Sequence, residues 1–208
     1  TLVLIFMKDR KTEKIFKGLS FKDLTFNLKL FMLLSAIFAV GAFSYSFLLV
    51  FATQSPEYKQ FFSGEILVPV FYLVFSIVAF LMSLPFGKLA DIVGRKKVMV
   101  LSYVIWAVMC VGFIFIESLI GIALLFVLYG LHKAAIEPVQ KTLVSELAPE
   151  RYRASILGAF QLVVGVCALP ASSIAGIIAI FGKFAPLTFS FGLAMVAIIL
   201  LFFVKEKR

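Results

Sequence analysis

Between Tyr129 and Lys141 the chain reads YGLHKAAIEPVQK, and its chemistry-bearing side chains are spaced for a helix. Lys133, Glu137, Gln140 and Lys141 stand at i, i+4, i+7 and i+8, so they share one helical face. A carboxylate in such a row can hold and release a proton or contact a polar solute. The lysine one turn before it serves as its counter-charge or as a contact for an anion. The bland alternative is a pair that only neutralises itself. Its Lys-before-Glu order is the weaker one on an isolated helix, which tells against a purely stabilising role. His132 lies about 100° round the helix from Lys133 and is a further candidate for the same pathway. A lone histidine is nevertheless more often a packing residue. Pro138 removes one backbone donor and leaves the carbonyl of Ala134 without its usual partner, which suits the lining of a wet cavity.

The elements that must carry these groups follow from composition. Apolar residues make up 62% of the 208, Phe alone supplies 25, and charged residues are 15%. Mean hydropathy is +1.10. A soluble domain holds about 45–50% apolar and about 25% charged residues, so a soluble globule is excluded. Uncharged runs occupy Leu30–Thr53, Ile66–Gly87, Val98–Ile116, Ala154–Gly182 and Phe184–Val204. Each is long enough for a hydrocarbon core that takes about 20 residues of helix. No alternation of polar and apolar residues indicates a membrane barrel.

The run from Ser118 ends at Leu131 and is too short alone. Basic residues decide it. Seven lie in Lys8–Lys29 and four in Lys88–Lys97, followed by Arg151/Arg153 and the tail Lys205/Lys207/Arg208, while the intervening segments hold Lys59 and Lys183. Basic segments belong on the cytoplasmic side, and the alternation holds only if one crossing joins Glu117 to Glu150. That helix is expected to continue past His132 to about Val144, taking Lys133 and Glu137 to membrane depth. Charges at the centre cost about 2.5–3.5 kcal/mol each, so this face must point into protein or a wet cavity. The reading is all-α and integral to the membrane, with six transmembrane helices and both ends of this segment cytoplasmic. The net charge of +9 is then a matter of topology, with no nucleic-acid partner implied.

The turn between the second and third spans is GKLADIVGRKK, residues 87–97. Gly87 is expected to let helix ends approach, and Gly94 to take the positive φ of a reversal. Asp91 can pair with Arg95 or cap a helix, and Lys96 and Lys97 lie beside the leaflet. The turn resembles the signature of the major facilitator superfamily, G-x-L-a-D-r-x-G-r-k, matched by Gly87, Leu89, Ala90, Asp91, Gly94, Arg95 and Lys96. Ile92 departs from it, where a cation is usual. LAPERYRASILGAF at 147–160 and LPASSIAG at 169–176 are similar to the tenth-to-eleventh helix region of such transporters. The resemblance implies one half of a major facilitator fold, helices seven to twelve. It also implies a gating role for Gly87, Asp91, Gly94, Arg95 and Lys96, whose charges would hold and release the two halves. A purely structural turn is the alternative.

Other candidates are weaker. Gln161 shares a face with the small residues Gly158, Gly165, Ala168, Ser172, Gly176 and Ala179, a stripe expected to pack against a helix. Pro170 is expected to bend that span. Tyr45, in FSYS, and Tyr72 with Ser76 offer rings and hydroxyls to a solute. The last span, with no charged or amide side chain, reads as lipid-facing. Cys110 and Cys167 read as inert packing residues, and no metal or cofactor is implied.

The expected organisation is the end of a preceding helix over residues 1–7 and a basic cytoplasmic linker over 8–29, with a possible capping box at Ser20–Asp23. The six-span domain follows over 30–204 and a tail over 205–208. TLVLIFM reads as the end of an earlier span, so an N-terminal six-helix half is the expected partner, in the same chain or as a second copy. The expected function is alternating-access transport of a small solute, with proton-coupled export as its specific form. A facilitated-diffusion uniporter and a non-transporting receptor or scaffold are the alternatives. No nucleotide-binding loop of the G-x-x-x-x-G-K-[ST] type is present. A membrane protease would need a serine partner for His132 or two membrane aspartates, so an enzyme is not expected.

Overall fold

The computed structural model describes residues 24–55, 57 and 67–205, and among them the secondary structure is helical throughout. The sequence expectations for residues 1–23 lie outside the described residues. Six spans are long and apolar enough to cross a membrane: Phe26–Thr53, Val68–Val93, Arg95–Phe115, Leu119–Leu147, Glu150–Phe181 and Ala185–Phe203. The fourth is one continuous helix, as the charge alternation required, and Pro138 lies inside it.

Two spans are broken. The first consists of α1 (Phe26–Gly41) and α2 (Tyr45–Thr53). The second, third and fourth spans are α3 (Leu67–Val93), α4 (Arg95–Phe115) and α5 (Leu119–Leu147). The fifth splits into α6 (Arg153–Ala168) and α7 (Ala171–Ile178) around Pro170, the position where a bend was expected. The last is α8 (Ala185–Phe203), where Pro186 stands in the first turn and so leaves the helix straight.

Packing centres on α5, against which α3, α4 and α6 all lie, while α8 packs on α4 and α1. Aromatic rings fill the core. Phe71 stacks on Phe126 at 4.9 Å between centroids, and Phe38 stacks on Tyr103 at 4.3 Å. A close helix–helix approach lies at Gly130 of α5. A Cβ there would sit 2.7 Å from the Phe75 carbonyl oxygen and 2.8 Å from Val78 Cβ, so α3 and α5 meet only because glycine occupies the position.

The stripe on the fifth span behaves otherwise. Nothing lies within 4 Å of a Cβ built on Gly158, Gly165 or Gly176, so these three glycines of the stripe face away from the described helices. The same correction applies to Gly87, whose surroundings are also open. It is a helical residue inside α3 and not the point where two helix ends converge. The lipid-facing reading of α8 holds for one side only, since Leu187, Ser190, Ala194, Ala197 and Leu201 are buried.

Gly130→Ala is expected to lower the thermal stability of the purified protein by about 1–3 kcal/mol, the usual cost of overpacking. Gly158→Ala, with open space around it, should not lower stability, and a melting curve of each in the same detergent distinguishes the two sites.

Candidate functional site

A cavity of about 360 Å³ lies beside α5 and is lined by residues of α1, α4, α5 and α6. Its α5 wall carries Lys133, Glu137, Gln140 and Lys141, so the face inferred from spacing is one surface of this cavity. Lys133 Nζ is 3.4 Å from Glu137 Oε1 and 5.9 Å from the centroid of the Tyr129 ring. Both charged groups remain open to the cavity, with the Glu137 side chain 61% exposed. Opposite them, Phe38 and Phe43 come from the first span, Trp106 from α4, and Val164 and Ala168 from α6. The site therefore has one charged wall and an aromatic floor.

His132 forms part of the floor but is committed to packing. It is 2% exposed, and its ring lies 5.0 Å from Trp106 and 5.6 Å from Phe38. Nδ1 lies 2.9 Å from the Ser102 carbonyl oxygen, which can only accept, so this nitrogen carries the proton. Ser102 Oγ in turn donates to the His132 carbonyl at 3.1 Å. The pair of bonds clamps α4 to α5. Gln161 is exposed and sits one turn before Val164 on the same face, just outside the cavity lining. Tyr45 and Tyr72 come together, 5.4 Å between centroids, but they line a separate open groove of about 560 Å³ between α2 and α3.

The break in the first span places Ala42 and Phe43 at the cavity. Local bonds (Ala42 N–H to the Phe38 carbonyl, Phe43 N–H to the Gly41 carbonyl) and other spans together meet its backbone groups. Ser190 Oγ of α8 donates to the Gly41 carbonyl at 2.7 Å and accepts from Trp106 Nε1 at 2.9 Å. Ser44 caps α2, and its own N–H donates to Ser172 Oγ of α7 at 3.3 Å. The two broken spans thus touch at their breaks.

At one end of the bundle, the segment that reads as a charged turn is almost wholly helical. GKLADIV closes α3, RKK opens α4, and Gly94 alone reverses the chain, with φ of 102°. Arg95 Nη2 holds Asp91 Oδ1 at 3.1 Å, and Arg95 Nη1 pairs with Glu146 near the end of α5. Lys96 Nζ donates to the carbonyls of Phe202 and Val204, at 2.7 and 2.8 Å, and so caps α8. A cation at a helix C-terminus also opposes the partial negative charge there.

Residues 32–208 match the sequence profile described as Major Facilitator Superfamily. The chain belongs to the major facilitator superfamily. It is 37% identical over 210 residues to an uncharacterized MFS-type transporter of Methanocaldococcus jannaschii, a match covering 97% of this chain and 51% of that relative. The chain therefore spans about half the length of the relative, and its six spans correspond to one half of a major facilitator fold.

Within this facilitator half, spacing alone identified the charged wall of α5 and the Asp91–Arg95 pair. It missed Glu146, Ser190, Ser102 and the break at Gly41–Ser44. Glu146 was discoverable as the last carboxylate of the fourth span, placed at the same end as Arg95. Ser190 and Ser102 leave no local signal, because a single serine in an apolar helix can simply bond its own backbone. Among the described residues no cluster of metal-ligating side chains is present.

The packing of His132 and the openness of Lys133 lead to opposite expectations. His132→Ala removes a buried ring and should cost about 2–5 kcal/mol of stability, as other large core truncations do. Lys133→Gln should change stability by no more than about 0.5 kcal/mol, as partly exposed positions usually do. Thermal unfolding of both variants in one detergent tests the contrast.

Proposed function

We propose that this chain forms half of a secondary transporter that moves a small solute across the cell membrane by alternating access. The observation that carries the reading is the cavity beside α5, where an ion pair lies among residues of the first, third, fourth and fifth spans. Isolated charges are expensive at that depth, and retaining them is reasonable where they meet a solute or a proton. The broken first span supports the reading, since interrupted helices in membranes line cavities and not lipid. The second six-helix half, in the same chain or as a second copy, would close the other side of the cavity. Both ends of this segment would face the cytoplasm, and no enzyme activity or nucleic-acid partner enters the reading.

Glu137 is assigned the proton and the solute contact, with Lys133 as its counter-charge, and export is the direction proposed. The apolar α6 side of the cavity, at Val164 and Ala168, suits solutes with an apolar part. Asp91, Gly94, Arg95 and Lys96 are assigned to gating, through ties that set how α3, α4, α5 and α8 move together. A facilitated-diffusion uniporter would use the same cavity without Glu137 carrying a proton. A receptor or scaffold on this fold would use neither.

The full-length protein, reconstituted in liposomes with an internal pH indicator, should show solute-dependent proton movement across a panel of small solutes. Glu137→Gln should abolish that movement while leaving insertion intact. Solute flux that persists without proton movement in the parent protein would identify a uniporter. A parent protein inactive toward every solute, with the variant indistinguishable from it, would support the scaffold. Asp91→Asn should slow solute flux several-fold with normal insertion, and an unchanged rate would make the turn merely structural.

A further inference from the structure

We propose that the cavity beside α5 takes an amphipathic organic monoanion, with its apolar part against Val164 and Ala168 over the edge of Phe38 and its acid group at Lys141. The proposal rests on the transport reading and names the solute class that the same site selects. Its basis is the unequal chemistry of the walls. Val164 and Ala168 of α6 offer open aliphatic carbon, and the edges of the buried Phe38 and Phe43 rings lie behind it, whereas every charged lining group stands on α5.

Those charges do not cancel. Lys133 and Lys141 are two amines, and Glu137 is the one carboxylate among the lining residues. Glu137 holds Lys133, and the Lys133 ammonium also lies over the Tyr129 ring, so that cation is compensated twice. No carboxylate lies within ion-pair distance of Lys141 among the described residues, although Glu137 stands one turn before it. Among the described lining residues the charge left over is therefore positive, and it sits at Lys141. A cationic solute would meet two amines and a carboxylate already engaged. An anion meets a free ammonium with three donors.

Position adds a length requirement. Trp106 and Phe38 are level with His132, as their ring contacts show. Lys141 lies two turns further along α5, about 12 Å past Lys133 at the usual helical rise, toward the end that carries Arg95. A fused-ring body with one acid group spans this gap, whereas a small inorganic anion reaches only Lys141.

The test uses the full-length protein in nanodiscs and two permanently charged probes with the same ring, 1-naphthalenesulfonate and 1-naphthyltrimethylammonium. Equilibrium dialysis should show the sulfonate binding at least tenfold more tightly than the ammonium. Lys141→Gln should weaken sulfonate binding at least fivefold, and Lys141→Arg should restore it. Methanesulfonate, with the acid group and no ring, should not compete. Equal binding of the two ions, no effect of Lys141→Gln, or full competition by methanesulfonate would each overturn the proposal. If neither ion binds while Glu137→Gln still abolishes solute-dependent proton movement, the solute class is wrong and transport stands. If both assays are silent, both readings fall together.

Discussion

Hydrocarbon provides no hydrogen-bond partner, and this one constraint organises the interior of the chain. The first span is interrupted at Gly41–Ser44, where an unbroken helix would have satisfied every backbone group internally. Here the Gly41 carbonyl accepts from Ser190 of the last span, and the Ser44 N–H donates to Ser172 of the fifth. Ser190 also accepts from the indole of Trp106, so one hydroxyl serves three spans. The break is tolerable because these side chains reach it. Without it, Phe43 would not be turned in beside Trp106, where their rings lie 5.9 Å apart.

The fourth span reconciles two demands on a single helix. One side carries Leu125, Phe126, Gly130 and Ala134 into the core, and the α3 backbone comes close enough at Gly130 to exclude any side chain. The other side carries Lys133, Glu137 and Lys141 to the cavity. These roles are compatible because residues three and four apart share a face while adjacent residues do not. His132 and Lys133 show this directly: the first is clamped to Ser102, and its neighbour opens on the cavity.

Much of this was legible in the sequence. Span number, the extension of the fourth helix past His132, and the charged face all follow from hydropathy, charge alternation and helical period. The Asp91–Arg95 pair and the reversal at Gly94 are equally local. The failures share a cause. Gly87, Gly158, Gly165 and Gly176 suggested close helix contact, but a small side chain only permits approach, and the approaching partner is not written beside it. Gly130, where contact occurs, lies in the run YGLHK, where the charged neighbours drew the reading elsewhere. Tyr45 and Tyr72 each read as solute candidates beside Lys133, and they line a different hollow from it. Periodicity within one helix cannot tell which of two cavities a neighbouring helix faces.

The basic turn shows how a local motif acquires a wider role through contacts its spacing does not reveal. Asp91 ends α3, Arg95 and Lys96 begin α4, Glu146 lies near the end of α5, and Phe202 and Val204 finish α8. Arg95 lies between two carboxylates, so removing it would set like charges near each other at the end of the bundle. Lys96 satisfies carbonyls that α8 cannot satisfy itself. Four of the six spans are thereby joined within a few residues of one glycine. These contacts tie four helix ends together, while the breaks in the first and fifth spans fall part-way along them. In the proposed alternating-access transport, a body tied at one end and jointed at cavity depth would tilt as a whole and still adjust its lining.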